Sequence, residues 1–320
     1  MVRIPDKDSI IQASLRVKEH IHRTPVLSSE YINSLIDGQI LFKCENFQKA
    51  GAFKSRGAVN AIFQLSDEEL EKGVCTHSSG NHAAALSRAA SLRGTNAYIV
   101  MPDNSSQVKI DAVNHYGGKI TFCTPSLESR ESTLDSIKQE SGSIEIHPYN
   151  DYRIIAGQAT AAKELIEQTD DLDLVLAPVG GGGILSGTAL AVHYFSPLTK
   201  VLACEPKGAD DAYRSFIEGK FIPSENPQTI ADGLLTSLGN LTYPIIQDQV
   251  EQILTVSEES IITAMRLTWE RMKIIIEPSS AVPLAAVLEN KEFFGNKKIG
   301  VIISGGNVDF DKLPWMKSGL

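Results

Sequence analysis

The run LVLAPVGGGGILSGTALAVHYF, residues 174–195, carries no charge, and its reading decides the fold. It is long enough to cross a bilayer as one helix. Four consecutive glycines and a proline argue against that, because they break the run in two and make a poor spanning helix. We read it as strand, glycine loop and helix, the opening of a βα unit.

The same alternation recurs outward from this run. Apolar runs rich in Val and Ile predict strands at 40–45, 73–79, 96–102, 119–125, 172–180, 200–206, 252–257 and 297–306. Between them, NHAAALSRAASLRG (81–94), GQATAAKELIEQ (157–168) and EESIITAMRLTWERMK (258–273) have helical period. Strands alternating with helices predict an α/β protein with two open, mainly parallel, twisted sheets and flanking helices. No repeat or low-complexity linker marks a boundary. The βα units in 74–150 are expected to form a small domain, and 1–73 with 151–320 a large one.

At 320 residues the chain is long enough for two domains. A hydrophobic content of 42% with 22% charged residues fits a soluble globular protein. A net charge of -9 excludes a general affinity for nucleic-acid phosphates. Cys44, Cys75, Cys123 and Cys204 lie far apart with no CxxC pair, as expected of free thiols in a reducing compartment. The start, MVRIPDKDSI, lacks the apolar core of a signal peptide. A cytoplasmic protein without membrane or nucleic-acid partners is expected.

In open parallel sheets, ligands bind beyond the carboxyl ends of the strands. Small or polar clusters follow four predicted strands: GAFK (51–54), HSSGNH (77–82), GGGG (180–183) and SGGN (304–307). Together they are placed to line one crevice. Gly180, Gly181, Gly182, Gly183 and Ile184 open a helix, where backbone N–H groups and the helix dipole favour a phosphate. A tight turn alone would need only one such glycine. The loop is neither a dinucleotide fingerprint nor a P-loop: Leu185 and Ser186 stand where GxGxxG needs its third glycine, and no Gly-Lys-Ser/Thr follows.

The stretch GAFKSRGA (51–58) sets one lysine, Lys54, among small residues and a phenylalanine. A buried amine beside a phosphate cradle points to pyridoxal 5′-phosphate (PLP), an aldehyde that forms a Schiff base with lysine. Phe53 is placed to pack on the ring face, Asn81 to bond the ring hydroxyl and Ser304 to reach the pyridine nitrogen. A serine at that nitrogen, where other enzymes use a carboxylate, is expected to favour the neutral ring and a milder electron sink.

FKCENFQKAGAFKSRGA, SSGNHAAA, PVGGGGILSG and IISGGNVD resemble the signatures of the fold-type II PLP enzymes, the tryptophan synthase β-like fold. Within these the chain is most similar to serine racemases and the neighbouring serine/threonine dehydratases, from about HRTPVL (22–27) to SGGNVD (304–309). The resemblance implies that Lys54 carries PLP and removes the α-proton on one face of serine, while Ser79 serves the other. Reprotonation by Ser79 inverts the centre; loss of the β-hydroxyl instead gives pyruvate and ammonia. Ser79 also suits an N-cap of the helix that follows. Ser78, Asn81 and His82 are expected to offer donors to the substrate carboxylate. Arg130, in SLESRES, matches an arginine that reaches substrate in the family, although sequence alone favours an exposed helix arginine.

CEPKGADDAY (204–213) holds Glu205 and Asp211 about a turn-forming Gly208. Spacing alone favours Asp210 and Asp211 as caps of the next helix. The resemblance implies a divalent cation, Mg²⁺, Ca²⁺ or Mn²⁺, on Glu205, the Ala209 carbonyl and Asp211. It also implies a homodimer with ATP as effector at Lys49, Tyr116, Lys273 and Asn307. That match is incomplete, since Ala84 replaces a glutamine and Glu30 a serine. The remaining alternatives are a dehydratase for threonine, serine or 3-hydroxyaspartate with little racemisation, a non-catalytic amino-acid sensor, and a nucleotide-binding module without PLP.

Overall fold

In the computed structural model, which describes residues 3–78 and 80–316, strands and helices alternate along most of the chain. The strands are β1 (Val26–Leu27), β2 (Gln39–Cys44), β3 (Val74–His77), β4 (Ala97–Pro102), β5 (Lys119–Cys123), β6 (Ile144–Glu145), β7 (Leu174–Pro178), β8 (Lys200–Pro206), β9 (Gln252–Val256) and β10 (Lys298–Ile303). They form a six-stranded sheet in the order β1-β2-β10-β7-β8-β9 and a four-stranded sheet in the order β5-β4-β3-β6. Every pairing is parallel except β1 against β2, where Val26 faces Lys43. All eight predicted strands are present. The two missed, β1 and β6, are two residues each, too short to show a period.

The uncharged run divides as its glycines require, into β7, a loop and the helix Gly183–Phe195. Among the described residues no helix is long and apolar enough to cross a membrane. The large sheet is buried on both faces, as parallel sheets with flanking helices must be. Leu174, Leu176, Leu202, Cys204, Val301 and Ile303 face one core; Val175, Ala177, Val201, Ala203 and Ile302 face the other. In the small sheet Val74, Ile99 and Met101 share a core with Ala58, Val59 and Ile62, which come from the helix Lys54–Ile62. That helix therefore joins the two sheets.

Its position is fixed by two devices. The first is close packing. A Cβ on Gly157 would stand 2.6 Å from the Cα of Gly57, and one on Gly187 2.6 Å from the Ala159 nitrogen. Three helices, Lys54–Ile62, Tyr152–Gln168 and Gly183–Phe195, thus touch backbone to backbone where no side chain fits.

The second device is Arg56, wholly buried. Its guanidinium donates twice to Glu45 (2.6 and 2.7 Å) and twice to Glu164 (both 2.8 Å), with Thr160 Oγ1 at 3.1 Å. Lys43, also fully buried, reaches Glu164 and Gln168, both at 2.7 Å. Burial alone would lower the guanidinium pKa, but Glu45 and Glu164 more than reverse that and raise it, so Arg56 stays charged. Replacing Arg56 with Met leaves the buried Glu45 without its cation and Glu164 with Lys43 alone, and should cost about 3–5 kcal/mol. Urea unfolding measures it, and adding Glu45→Gln and Glu164→Gln should restore part of the loss. An unchanged midpoint in Arg56→Met would contradict the assignment.

Candidate active site

A cavity of about 430 Å³ lies between the two sheets, beyond the carboxyl ends of β3, β7 and β10. Its wall includes Phe53 and Lys54, then His77, Ser78 and Gly80 to His82, then Gly180 to Ile184, and Ser304. The four clusters predicted to share a crevice therefore meet in one.

Lys54 begins its helix half-buried, and Nζ donates to the Pro148 carbonyl at 2.8 Å. Nζ stands 5.1 Å from the centre of the Phe53 ring. Loss of water around the ammonium pulls its pKa down to about 8, against the opposing pull of Glu277. No carboxylate bonds it directly. The amine is thus close to the neutral form that attacks an aldehyde.

The glycine loop is shaped by its neighbours. A Cβ on Gly181 would stand 2.3 Å from the Tyr149 ring, and one on Gly180 2.8 Å from the Leu234 Cα. Gly182 turns the chain at φ 88°, and no side chain caps the helix that follows. Its first N–H groups and dipole are left for an anion, which fits a phosphate group. An amine of depressed pKa, a phosphate cradle and a hydroxyl together fit PLP.

Asn81 opens the helix Asn81–Leu92, likewise without a side-chain cap. Its amide does not stand free for a ring: Nδ2 donates to both oxygens of Glu277 (2.9 and 3.0 Å), and Oδ1 accepts from Asn307 at 2.8 Å. Glu277 is buried, and burial followed by the charge of Asp232 pushes its carboxyl up to about 7. Ser78 lines the cavity, its Oγ accepting from Gly80 N–H at 3.4 Å. Ser79 lies outside the described residues.

Of His82, the main-chain N–H in the first helical turn can serve as the expected donor to a substrate carboxylate, and the ring cannot. Burial, then the charge of Lys54, pulls its pKa down to about 3, so the ring is neutral. Nε2 lies 2.9 Å from the Ile146 carbonyl and must carry the hydrogen, while Nδ1 has no partner. The side chain has no second hydrogen to give a substrate carboxylate.

Arg130 lines the cavity, and its buried Nε has no hydrogen-bond partner. Ser304 is buried and its Oγ meets that of Ser280 at 2.9 Å. Glu205, next to last in β8, accepts the N–H groups of Ala212 and Tyr213 at 3.0 and 2.8 Å, so it caps the helix Asp211–Glu218. Burial and the neighbouring aspartates push Glu205 up to about 9, and burial pushes Asp211 up to about 6. One Asp211 oxygen is buried without a partner. Two buried acids short of a cation, beside Ala209, fit a divalent ion. They are too few for a cluster of three or more His, Cys, Asp or Glu ligands, of which the described residues hold none.

None of Lys49, Tyr116, Lys273 and Asn307 lines the cavity. Lys273 is exposed, and Asn307 spends its amide hydrogens on Ala50 and Asn81. Sequence reasoning missed Glu277, Tyr149, and the ion pair of Lys109 with Asp232, all on the wall. Only Glu277 left a signal, an acid between an apolar run and the Pro278 that starts a helix.

The lowered Lys54 pKa sets a pH dependence. An unfolded lysine holds its proton to about 10.5, so between about 8 and 10.5 the unfolded chain binds one proton more. The destabilisation from this desolvated ammonium is full below that window and relieved as pH rises through it. The rate of PLP uptake by cofactor-free protein, followed by visible absorption, should rise with pH and level off above about 8. A flat profile would contradict the assignment, and Lys54→Ala should attach none covalently.

The family described as "Pyridoxal-phosphate dependent enzyme" matches residues 17–305. The β-hydroxyaspartate dehydratase of Paracoccus denitrificans is 54% identical, covering 98% of this chain and 99% of its own. The serine racemase of Dictyostelium discoideum is 50% identical, covering 98% of each chain. The structure of maize serine racemase superposes with a TM-score of 0.95 at 46% identity, over 98% of this chain and 97% of that one. The cradle, the amine and these full-length likenesses agree, and the chain belongs to the pyridoxal-phosphate-dependent enzymes, in their racemase and dehydratase branch.

Proposed function

We propose that this chain racemises serine and also eliminates water from it, giving pyruvate and ammonia. The observation that carries the reading is Lys54, an amine of depressed pKa on the wall of a cavity that also holds a phosphate cradle. Bound PLP would supply the electron sink that makes an α-proton removable. Lys54 takes that proton on one face and Ser79 returns one on the other. The N–H groups at the start of Gly183–Phe195 hold the phosphate; Ser78 and the start of Asn81–Leu92 receive the substrate carboxylate. Phe53 packs on the ring.

A second reading, 3-hydroxyaspartate dehydration, is favoured by Arg130. Its partnerless buried Nε on the cavity wall suits a second carboxylate on the substrate. The relative from Paracoccus denitrificans carries that activity in its name. The sensor and nucleotide-module alternatives have no comparable support.

We further place a divalent cation on Glu205, the Ala209 carbonyl and Asp211. Ser224, which lines the cavity, is near enough to lower the Asp211 pKa, so the ion would brace its rim. The reading extends to a cytoplasmic homodimer with ATP at Lys49, Tyr116, Lys273 and Asn307. It divides the chain into a large domain, 1–73 with 151–320, and a small one, 74–150, with the Lys109–Asp232 pair spanning them.

One assay decides among these activities. Protein with PLP and Mg²⁺, with and without ATP, receives L-serine, L-threonine or 3-hydroxyaspartate, and D-serine and keto acid are quantified together. The racemase reading expects D-serine that falls by about a hundredfold or more in Ser79→Ala. Keto acid without D-serine makes the chain a dehydratase, and kinetics indifferent to ATP remove the effector. For the cation, saturating Mg²⁺ should stabilise the wild type by about 3 kcal/mol at a hundredfold excess over its dissociation constant. Asp211→Asn should lose that gain; equal gains in both would reject the site.

A further inference from the structure

Two of the links across the cleft meet at the start of the helix Asn81–Leu92. The inner one is the Asn81 amide on the buried Glu277. The outer one is the ion pair of Lys109 with Asp232, whose side chains are 23% and 51% exposed.

Each end of the outer pair is anchored in its own core. Lys109 lies in the helix Gln107–His115, whose Ile110 and Val113 pack with the small sheet. Asp232 opens the turn Asp232–Leu234, where Leu234 is buried with the large sheet and the Gly233 N–H donates to Ser279 Oγ at 3.1 Å. That turn backs the phosphate cradle, since a Cβ on Gly180 would stand 2.8 Å from the Leu234 Cα. On the other side the Lys109 stem covers Gly80, where a Cβ would meet its Nζ, Cε and Cδ at 3.6, 3.7 and 3.8 Å. One ion pair thus joins the turn behind the cradle to the turn of Ser78 and Gly80, between which Ser79 stands in sequence.

A partly exposed pair of this kind contributes little to stability. What it fixes is a distance. Asn81 and Glu277 hold the inner edge of the cleft, so the outer pair sets how closely the turn before Asn81 approaches the side of Lys54. We propose that Lys109 is a positioning residue for racemisation: paired with Asp232, it holds the turn that carries Ser79 within reach of the second face of the substrate. The proposal rests on the two-face reading under Proposed function. Elimination uses the face of Lys54 alone, whereas racemisation needs both faces at a fixed separation. The pair therefore sets the share of D-serine between the two products.

Glu277 feels both charges of the pair, Asp232 raising its pKa and Lys109 lowering it. Lys109→Met and Asp232→Asn disturb that carboxyl in opposite directions, but both lose the ion pair. An effect common to the two belongs to the pair.

The test gives L-serine to the full chain loaded with PLP and quantifies D-serine and pyruvate in wild type, Lys109→Met, Asp232→Asn and the double variant. Each single change should cut D-serine formation by about tenfold or more, and pyruvate by less. The double variant should be no worse than either single one, because the same link is lost once. Lys109→Arg, which keeps the charge, should retain most of the wild-type share. Amide hydrogen exchange over residues 77–82 does not depend on turnover and should quicken in both single variants. An unchanged share of D-serine, additive losses in the double variant or unchanged exchange overturns the proposal. Pyruvate without D-serine in the wild type rejects the racemase reading and this proposal with it; D-serine in the wild type with the same share in the variants rejects the proposal alone. If a variant does not fold, the wild type in rising salt takes its place: screening of the pair should lower the D-serine share, and a constant share overturns the proposal.

Discussion

The fork of Arg56 between Glu45 and Glu164 is the constraint on which the site depends. Glu45 directly follows β2, Glu164 belongs to the long helix Tyr152–Gln168, and Arg56 lies two residues beyond Lys54. One planar cation therefore ties the edge of the large sheet, a central helix and the turn that presents the amine. Such a network adds little net stability over an apolar core of equal volume, because three charges lose their water. What it supplies is direction. Five donors in a rigid plane meet two carboxylates in one arrangement, whereas an apolar contact would allow the helix start to slide. The Gly57 and Gly157 contact then leaves no room for rotation about that anchor.

With the helix fixed, the chemistry of the cavity follows from where charge is left unpaired. The described wall places two uncapped helix starts on one space, at Gly182 and Gly80, so negative groups are drawn there. Lys54 meets only a carbonyl directly, and desolvation keeps it near neutrality. The acid nearest this chemistry, Glu277, is restrained by Asn81 rather than by a cation. Had it paired with Lys54, the amine would be held as an ammonium and would not attack a carbonyl.

Much of this was legible in the sequence because it is local. Eight strands, the glycine loop and the four clusters each occupy a few consecutive residues, and the topology rule for parallel sheets brings the clusters together. Two kinds of feature were not legible. Lys109, Tyr149 and Asp232 reach the wall from loops and helix ends remote in sequence, with no pattern to mark them. The other kind concerns hydrogens. Residue type placed His82 and Asn81 at the site, but whether each gives or accepts depended on the Ile146 carbonyl, Glu277 and Asn307, which only the fold supplies. Glu205 illustrates both: the cap and the cation ligand were posed as rivals across neighbouring acids, yet one carboxylate can do both, since capping N–H groups leave it further lone pairs.

On the proposed function, the choice of substrate rests on the far wall. Serine brings one carboxylate, and the helix start at Asn81 can receive it. A 3-hydroxyaspartate brings two, and the second must lose its water on entering. Lys109 cannot compensate that loss freely, because it is already paired with Asp232 across the cleft. Arg130 can, since its buried Nε has no partner to give up. The penalty for leaving such a donor unsatisfied with serine bound, and its relief by a dicarboxylate, act in the same direction. On the proposed function, then, the group that favours the dicarboxylate over serine is one guanidinium, Arg130, which lies outside every motif that identifies the family.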